Sequence, residues 1–347
     1  MREDSHVARK GWIRSSALLA ALVIFSVLPP LGAAGPAWNP DKAALYSRKN
    51  GGAVLIISRQ GMPVYEFYEK KCHLQTPWPV FSITKSLAAL ACLSLRNPSP
   101  EQVVQKRADG GGITLRQLLS QTSGISPGYE QLYKKNLRDV RGTAAELRSD
   151  FPPGERFVYG PSHYELLGSI LGGPDAASSG TPQALTRFLG RVGIHSRGWR
   201  TDQKGQVFLS AGAVLTPEDL LKLGRFILDR GRGFGIRPVL SKGNFDTAFV
   251  GSPANPAYGM GFWLNKAAGN ATPRDIEEAI GAGLTKEQWS RTSLSNSAPE
   301  DLVCMAGSGG QRVYVIPSMR TVIVRLGRPS SFRDPEFFQA LFSGAAK

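Results

Sequence analysis

The pattern of hydrophobic and polar positions divides the chain into strand-like ends and a helix-rich middle. Near the start, GAVLIIS and MPVYEFYE are separated by the turn RQG, which predicts a β-hairpin over residues 52–69. Near the end, VYVIP and TVIVRLG are joined by SMR, which predicts two further strands over residues 313–327. Between these regions, apolar residues almost all round the segment predict a buried helix over residues 82–95, and TPEDLLKLGRFILDRG predicts a capped helix over residues 216–231.

This order of elements predicts an α+β fold. Strands at both ends with helices between them favour one antiparallel sheet built from both termini, flanked by helices, with an inserted all-helical lobe. We expect the sheet-containing lobe to comprise residues 36–80 and 245–347 and the helical lobe residues 81–244, within one domain over residues 36–347. A cleft between two such lobes is the expected place for a functional site.

Residues 1–35 have the layout of a secretory signal peptide. Basic residues precede the apolar run ALLAALVIFSVL, and two prolines and several small residues follow it. The run covers residues 17–28, which is shorter than the roughly 20 apolar residues needed to span a bilayer, so cleavage is favoured over retention as an anchor. We therefore expect a mature protein that begins near Gly35 and works in the periplasm or outside the cell.

Composition and charge narrow the possible partners. The chain has 347 residues, of which 41% are hydrophobic, and this is enough for a sizeable buried core. Its formal net charge is +15, but the lysines and arginines are scattered and lie in no recognisable nucleic-acid-binding motif. The charge therefore predicts a solvated basic surface attracted to an anionic cell envelope, with no nucleic-acid partner.

The three cysteines, Cys72, Cys92 and Cys304, lie far apart and match no metal-binding spacing. Cys92 falls inside the predicted apolar helix, where a small buried side chain is the simplest interpretation. Export would permit a disulfide, and Cys72 with Cys304 is the pair we consider, although the odd count leaves at least one free thiol. No metal or organic cofactor is implied by these residues.

The segment FSITKSLAAL places Ser82 and Lys85 three residues apart at the start of the predicted buried helix. Residues at this spacing share one helix face, and the free N–H groups of a helix start favour an alkoxide. A lysine drawn into an apolar helix start would lose basicity and could act as a general base. The alternative is structural: Ser82 would cap the helix and Lys85 would extend to solvent.

Further segments accompany this pair along residues 38–345, and they include AVLIISRQGMPVYEFY, ITLRQLLSQTSGI, FPPGERFVYGPSHYELLGSIL, LSAGAVLTPEDLLKLGRFIL, YGMGFW and GSGGQRVYVIP. In this order and spacing, the chain resembles the class C beta-lactamase-like serine hydrolases, which include penicillin-binding peptidases, esterases and oligomer-cleaving amidases. The resemblance implies the beta-lactamase/transpeptidase-like fold. It also implies that Ser82 is the nucleophile and Lys85 its base.

The resemblance implies that Tyr159, in FVYGP, is the tyrosine of the family's Tyr-x-Asn motif. A phenol near a lysine ammonium loses its proton more easily, so Tyr159 would relay protons between Ser82 and the leaving group. The alternative for Tyr159 is a packed aromatic side chain. Pro161 stands where the family has asparagine, so the amide that would touch a substrate carbonyl or steady the lysine is missing. The nearby His163 is interpreted as structural.

The family's third motif, a lysine or histidine on the strand that lines the site, matches CMAGSGGQRVYV, which contains neither residue. Backbone N–H groups near Gly307, Ser308 and Gly309, together with that of Ser82, would still form an oxyanion hole. The cation that would hold a substrate carboxylate is absent. Arg312 is a candidate to replace it, with its direction left open by the alternation of side chains along the strand.

We therefore predict an exported serine hydrolase that cleaves an ester or amide bond in a small-molecule or short oligomeric substrate through an acyl-enzyme on Ser82. No cofactor and no protein partner are indicated. One alternative is a D-Ala-D-Ala-type peptidase or beta-lactamase of the same fold, which the missing lysine disfavours. The other is a catalytically silent protein that binds the cell envelope.

Overall fold

A six-stranded antiparallel sheet, to which both ends of the chain contribute, organises the fold. The structure is a computed structural model, and it describes residues 38–95, 99–106, 111–172, 180–233, 238–265 and 271–344. The predicted signal peptide, residues 1–35, lies outside the described residues. The described strands are β1 (Gly52–Arg59), β2 (Met62–Tyr68), β3 (Trp78–Pro79), β4 (Val103–Lys106), β5 (Gly112–Thr114), β6 (Gly198–Trp199), β7 (Ala213–Leu215), β8 (Trp263–Leu264), β9 (Thr272–Pro273), β10 (Thr292–Ser293), β11 (Val303–Gly307), β12 (Gln311–Ile316) and β13 (Thr321–Gly327).

The helices surround this sheet and fill the middle of the chain. Those described are α1 (Pro40–Lys49), α2 (Ile83–Leu93), α3 (Leu115–Leu119), α4 (Tyr129–Leu132), α5 (Val140–Ala145), α6 (Ser162–Glu165), α7 (Gly168–Gly172), α8 (Gln183–Val192), α9 (Pro217–Leu228), α10 (Lys242–Ala248), α11 (Ile276–Gly281), α12 (Lys286–Ser290) and α13 (Asp334–Leu341). Within the described part of the chain, no helix is long and apolar enough to cross a bilayer.

The main sheet has the strand order β2-β1-β13-β12-β11-β8, with every neighbouring pair antiparallel. The hairpin predicted over residues 52–69 is confirmed as β1 and β2, and the strands predicted near the end are β12 and β13. β1 pairs with β13 inside the sheet, so the first and last strands of the described chain lie side by side. The predicted α+β fold is confirmed.

Strands β1, β11, β12 and β13 are buried on both faces, because alternate residues of these strands pack into two different hydrophobic cores, whereas the edge strand β2 is partly exposed. Val54 and Ile56 of β1 pack into the core that contains α2 and α9, whereas Leu55 and Ile57 pack into the core beneath α1 and α13. A strand with both faces covered needs a continuous apolar run, which is what residues 53–57 supply.

Helix α2 lies at the centre of the larger core, and all of its residues are buried. Helix α9 starts as predicted, with a capping box in which Thr216 accepts the N–H of Asp219 and Pro217 follows the cap. The middle of the chain differs from the prediction in one respect, because it also contains short strands, which pair as β3-β7-β6 and β4-β5. These pairs satisfy the backbone of extended segments around α2, and short segments of this kind carry little periodic signal.

All three cysteines are free, so the suggested pair of Cys72 and Cys304 does not form. Cys304 belongs to the core beneath α13, whereas Cys72 packs against the core that contains α2. The two thiols are therefore separated by the sheet. Cys92 is buried within α2, as predicted.

Candidate active site

The nucleophile candidate, Ser82, occupies the N-cap position of α2, but its side chain makes no capping hydrogen bond. The residue before it, Phe81, has a φ of 46° in the left-handed region, which costs a non-glycine residue about 1–3 kcal/mol. Strand β3 leads into this turn, and the Val80 N–H donates to the Ala213 carbonyl of β7 at 3.1 Å. The strained turn thus leaves the Ser82 hydroxyl available beside the start of the helix.

Lys85 does not extend to solvent. Its side chain is buried, with a relative exposure of 2%, and Nζ lies 3.0 Å from Ser82 Oγ and 2.9 Å from the Ser210 carbonyl oxygen. Burial lowers the pKa of Lys85 from 10.5 to about 7, although the negative charge of Glu165 opposes the shift. The geometry is therefore that of a serine beside a substantially neutral amine, and it disagrees with the structural alternative for both residues.

Tyr159 lies next to this pair. Lys85 Nζ is 5.0 Å from the centroid of the Tyr159 ring, and the Ser82 side chain interacts with its phenol. The expected direction of its pKa is wrong: burial raises the pKa of Tyr159 well above 10. The ring packs among Phe157, Tyr258 and Trp263, and a lysine with a pKa of about 7 supplies too little positive charge to favour a phenolate. Tyr159 is therefore a proton donor at neutral pH.

The loop that carries Tyr159 is held by a buried residue that the sequence did not single out, Gln121. Its Oε1 accepts the Gly160 N–H at 2.6 Å, and its Nε2 donates to the Tyr258 hydroxyl at 3.1 Å. His163 is fully buried between Ser123 Oγ and the Val158 carbonyl, each at 2.8 Å from a ring nitrogen. Burial lowers the pKa of His163 to about 4, so the imidazole is neutral and supports the loop, as predicted.

The third predicted element is the turn between β11 and β12, and its residues differ in what they contribute to the site. Ser308 lines the same cleft as Ser82. Gly309 does not serve as expected, because its N–H and that of Gly310 donate to the Glu277 carboxylate at 3.4 and 3.0 Å. Gly307 has a packing role, since a Cβ atom there would lie 2.2 Å from the Val80 carbonyl oxygen. Of the three turn residues, Ser308 is therefore the one that lines the cleft with Ser82, and the N–H groups of these two serines remain the candidate donors for an oxyanion.

Arg312 cannot replace the missing cation. It is fully buried in β12, where Nε lies 2.8 Å from Asp334 Oδ1 and Nη2 lies 3.5 Å from Asp275 Oδ2. Its third partner is Glu277, at 3.4 Å. The side chain belongs to a buried charge network behind the turn, so the suggestion that it binds a substrate carboxylate is wrong.

A cleft of about 620 Å³ opens at Ser82. Aromatic side chains line much of it, with Phe81, Tyr133 and Trp199 around Ser82 and Ser308. Arg200 is the one charged residue among the described lining residues, and its guanidinium stacks over the rings of Tyr133 and Phe208 at 5.6 and 4.2 Å. Within the described residues, no group of three or more His, Cys, Asp or Glu side chains is placed to hold a metal ion. The chemistry available at this cleft is that of a serine, an amine, a phenol and backbone N–H groups.

Comparison with known protein families identifies the family of this chain. Residues 41–328 match the family described as Beta-lactamase. The chain belongs to the beta-lactamase family. No curated protein matches it.

Solved structures share the fold of this family member at low identity. A Bacteroides dorei DSM 17855 protein provisionally named a beta-lactamase is 19% identical, with 88% of this chain and 100% of that chain covered and a TM-score of 0.65. A Bacillus anthracis protein provisionally named a 6-aminohexanoate-dimer hydrolase is 18% identical, with coverage of 86% and 78% and a TM-score of 0.63. EstCE1, a hydrolase with promiscuous acyltransferase activity, is 16% identical, with coverage of 87% and 98% and a TM-score of 0.63. The beta-lactamase/transpeptidase fold is therefore shown, as predicted.

Proposed function

We propose that this protein is an exported serine hydrolase that cleaves an ester or amide bond through an acyl-enzyme on Ser82. The observation that carries the proposal is the contact between the Ser82 hydroxyl and the buried Lys85 amine, at 3.0 Å. A nucleophile that touches a base of suitable pKa is the requirement for covalent catalysis by serine. Membership of the beta-lactamase family supports hydrolysis as the reaction class.

In acylation, neutral Lys85 takes the Ser82 proton while Oγ attacks the substrate carbonyl carbon. The carbonyl oxygen becomes an oxyanion, which the N–H groups of Ser82 and Ser308 stabilise, and loss of one such donor typically costs about a hundred- to a thousand-fold in rate. The bond to the leaving group then breaks, and the leaving atom takes a proton from the Tyr159 phenol, which the protonated Lys85 restores. Water repeats the sequence on the acyl-enzyme and releases the acid.

The cleft supports esters, or amides that need no carboxylate anchor near the turn, as substrates. The stretch that matches the family's third motif has no lysine or histidine, and Arg312 is buried behind the turn. The aromatic lining favours a small-molecule or short oligomeric substrate with an apolar acyl group. A peptidase or beta-lactamase that holds a carboxylate at this turn fits these residues less well. A catalytically silent binding protein has no need of a depressed lysine pKa beside a serine.

Export and attraction to an anionic cell envelope are parts of the same proposal. They are supported by the layout of residues 1–35 and by the net charge of +15. Fractionation of cells that express the full chain would place the mature protein outside the cytoplasm, and N-terminal sequencing would find a start near residue 35. Retention of the whole chain in the cytoplasm would contradict export.

Hydrolysis assays test the reaction itself. We expect p-nitrophenyl esters with apolar acyl groups to be cleaved by the wild type, and Ser82→Ala to be reduced to the uncatalysed rate. A fluorescent penicillin should label the wild type weakly or not at all. Stoichiometric, lasting labelling of Ser82 by the penicillin would instead establish the peptidase or beta-lactamase alternative.

A further inference from the structure

The amine of Lys85 has a second partner that takes over a function the sequence lacks. Pro161 stands where the family has an asparagine that would steady the lysine, and a proline side chain cannot accept a hydrogen bond. Nζ instead donates to the Ser210 carbonyl oxygen at 2.9 Å, in addition to its contact with Ser82. The direction in which the amine points therefore depends on the position of the backbone at residue 210.

That backbone is fixed by a buried carboxylate. Glu165, in α6, has a relative exposure of 0%, and its two oxygens accept the N–H groups of Leu209 and Ser210 at 3.0 Å each. Hydrogen bonds to an ionised carboxylate are about twice as strong as those between neutral groups. Glu165 therefore clamps residues 209–210 from within the core.

The same short helix orients both halves of the site. It begins at Ser162, three residues after Tyr159, and Tyr164 within it donates to the Leu119 carbonyl at 2.8 Å, which anchors it to α3. Burying a carboxylate is costly unless the group is hydrogen-bonded, and in Glu165 the N–H groups of Leu209 and Ser210 meet this requirement. Its described backbone partners are Leu209 and Ser210, and the carbonyl of Ser210 contacts the base.

We propose that Glu165 is a positioning residue for the catalytic base: it holds Leu209 and Ser210 so that the Ser210 carbonyl directs the Lys85 amine toward Ser82. The inference rests on the proposed function. It assigns to Glu165 and Ser210 the role of the missing asparagine.

Glu165 also acts on Lys85 by its charge. The titratable side chains facing the amine are Tyr159, His163, Tyr164 and Glu165. Tyr133 lies beside the Ser210 side chain, and Arg141 is the cation that faces Glu165. Burial raises the pKa of each tyrosine and lowers that of His163 to about 4, so these groups are neutral at pH 7. Burial raises the pKa of Glu165 as well, but bonds from residues 209–210 and the Lys85 charge oppose this shift. Because both of its oxygens accept backbone N–H groups, Glu165 is the group of this set suited to carry a negative charge, and that charge favours the protonated amine.

Two substitutions separate the geometry from the charge. Glu165→Gln keeps the shape but loses the charge and turns one acceptor into a donor that faces an N–H group. Glu165→Asp keeps the charge and withdraws the carboxylate by one methylene. Asp219→Asn is the matched control, because Asp219 is also a buried acid that accepts backbone N–H groups, but at the start of α9.

The readouts are the acylation rate, followed by p-nitrophenol release and by the mass of the Ser82 adduct, and the pH midpoint of that rate. We expect Glu165→Gln to acylate about ten- to a hundred-fold more slowly, with KM within twofold of wild type and a midpoint shifted to lower pH. Glu165→Asp should be slowed at least tenfold with the midpoint retained. Asp219→Asn should keep the wild-type midpoint.

Wild-type acylation rates in both Glu165 variants would overturn the positioning role, and so would a slower Glu165→Gln whose midpoint stays with that of Asp219→Asn. If Glu165→Gln fails to fold, Glu165→Asp decides, since a wild-type rate in that variant rejects the proposal and a tenfold loss supports it. Absence of any Ser82 adduct in the wild type would be a failure of the proposed function itself. The two failures are thus distinguishable.

Discussion

Replacing Lys85 by methionine should abolish acylation and, at neutral pH, make the protein more stable. Methionine fills a similar volume without a charge, and the site lies inside the larger hydrophobic core. Acylation should disappear because no other described group that contacts Ser82 can accept its proton at neutral pH, given the raised pKa of Tyr159. The variant should therefore be inactive and have a higher free energy of unfolding than the wild type.

The size of the gain follows from the pKa of Lys85. The value falls from 10.5 in a solvated lysine to about 7 in the folded protein. The proton therefore binds more tightly to Lys85 in the unfolded chain than in the folded protein. At about 1.4 kcal/mol per pKa unit, this difference costs the native protein about 4 kcal/mol at pH 7. The substitution leaves the Ser210 carbonyl without its donor, which costs about 1–3 kcal/mol. A net stabilisation of about 1–3 kcal/mol is expected at pH 7.

The pH dependence of the stability difference shows whether the depressed pKa of Lys85 is its cause. Between pH 7 and 10.5 the unfolded chain holds the Lys85 proton and the folded protein does not, so the stability of the wild type rises with pH. The methionine variant lacks this contribution. The stability difference between the two proteins should therefore shrink by about 2 kcal/mol between pH 7 and pH 9.

Urea unfolding followed by circular dichroism at pH 7, 8 and 9 measures this difference, with Ser82→Ala as a control that keeps the lysine and should follow the wild type. A stability difference that stays constant across this range would refute the depressed pKa of Lys85. A methionine variant that hydrolyses esters at the wild-type rate would refute the role of Lys85 as the base.

Three further outcomes follow from the site. The kcat/KM for a neutral ester should rise about tenfold between pH 6 and pH 8 and then level, because the neutral fraction of Lys85 grows from about one tenth to about nine tenths. A pH profile that stays flat over this range would contradict the role of neutral Lys85 as the base. Tyr159→Phe should lose about a hundred- to ten-thousand-fold in kcat with the midpoint of that profile unchanged; activity near the wild-type level would remove Tyr159 from proton transfer. Arg200→Gln should raise KM about tenfold for an ester with a carboxylate on its acyl group and leave the KM of a neutral ester unchanged, since Arg200 is the charged residue among those described in the cleft. Steady-state kinetics with these two esters tests the prediction, and an equal effect on both would contradict it.

Much of the fold could be read from local patterns. The apolar run of β1 and the turn after it predict a hairpin, and the cap at Thr216 marks the start of α9, because these signals lie within a few residues of each other. The spacing of Ser82 and Lys85 placed them on one helix face in the same way. The short strands β4 to β7 were not predicted, because each contains only two to four residues and this is too few for a periodic pattern.

The parts of the site that could not be predicted depend on contacts between distant segments. The Glu165 carboxylate accepts the backbone N–H of Ser210, and a backbone contact of this kind does not depend on which amino acid stands at position 210. The direction of Arg312 depends on how β12 sits against β11, and the direction of the Tyr159 pKa depends on burial among rings from other elements. Residue types indicated the reacting groups, whereas packing determined how their protonation is set.

The most direct test of the central claim is intact-mass spectrometry of the mature protein during turnover of an activated acyl ester, followed by peptide mapping. We predict one transient acyl group per chain, located on Ser82, and no adduct on Ser82→Ala under the same conditions. A folded wild-type protein that acquires no acyl group and hydrolyses the ester no faster than Ser82→Ala would contradict the account.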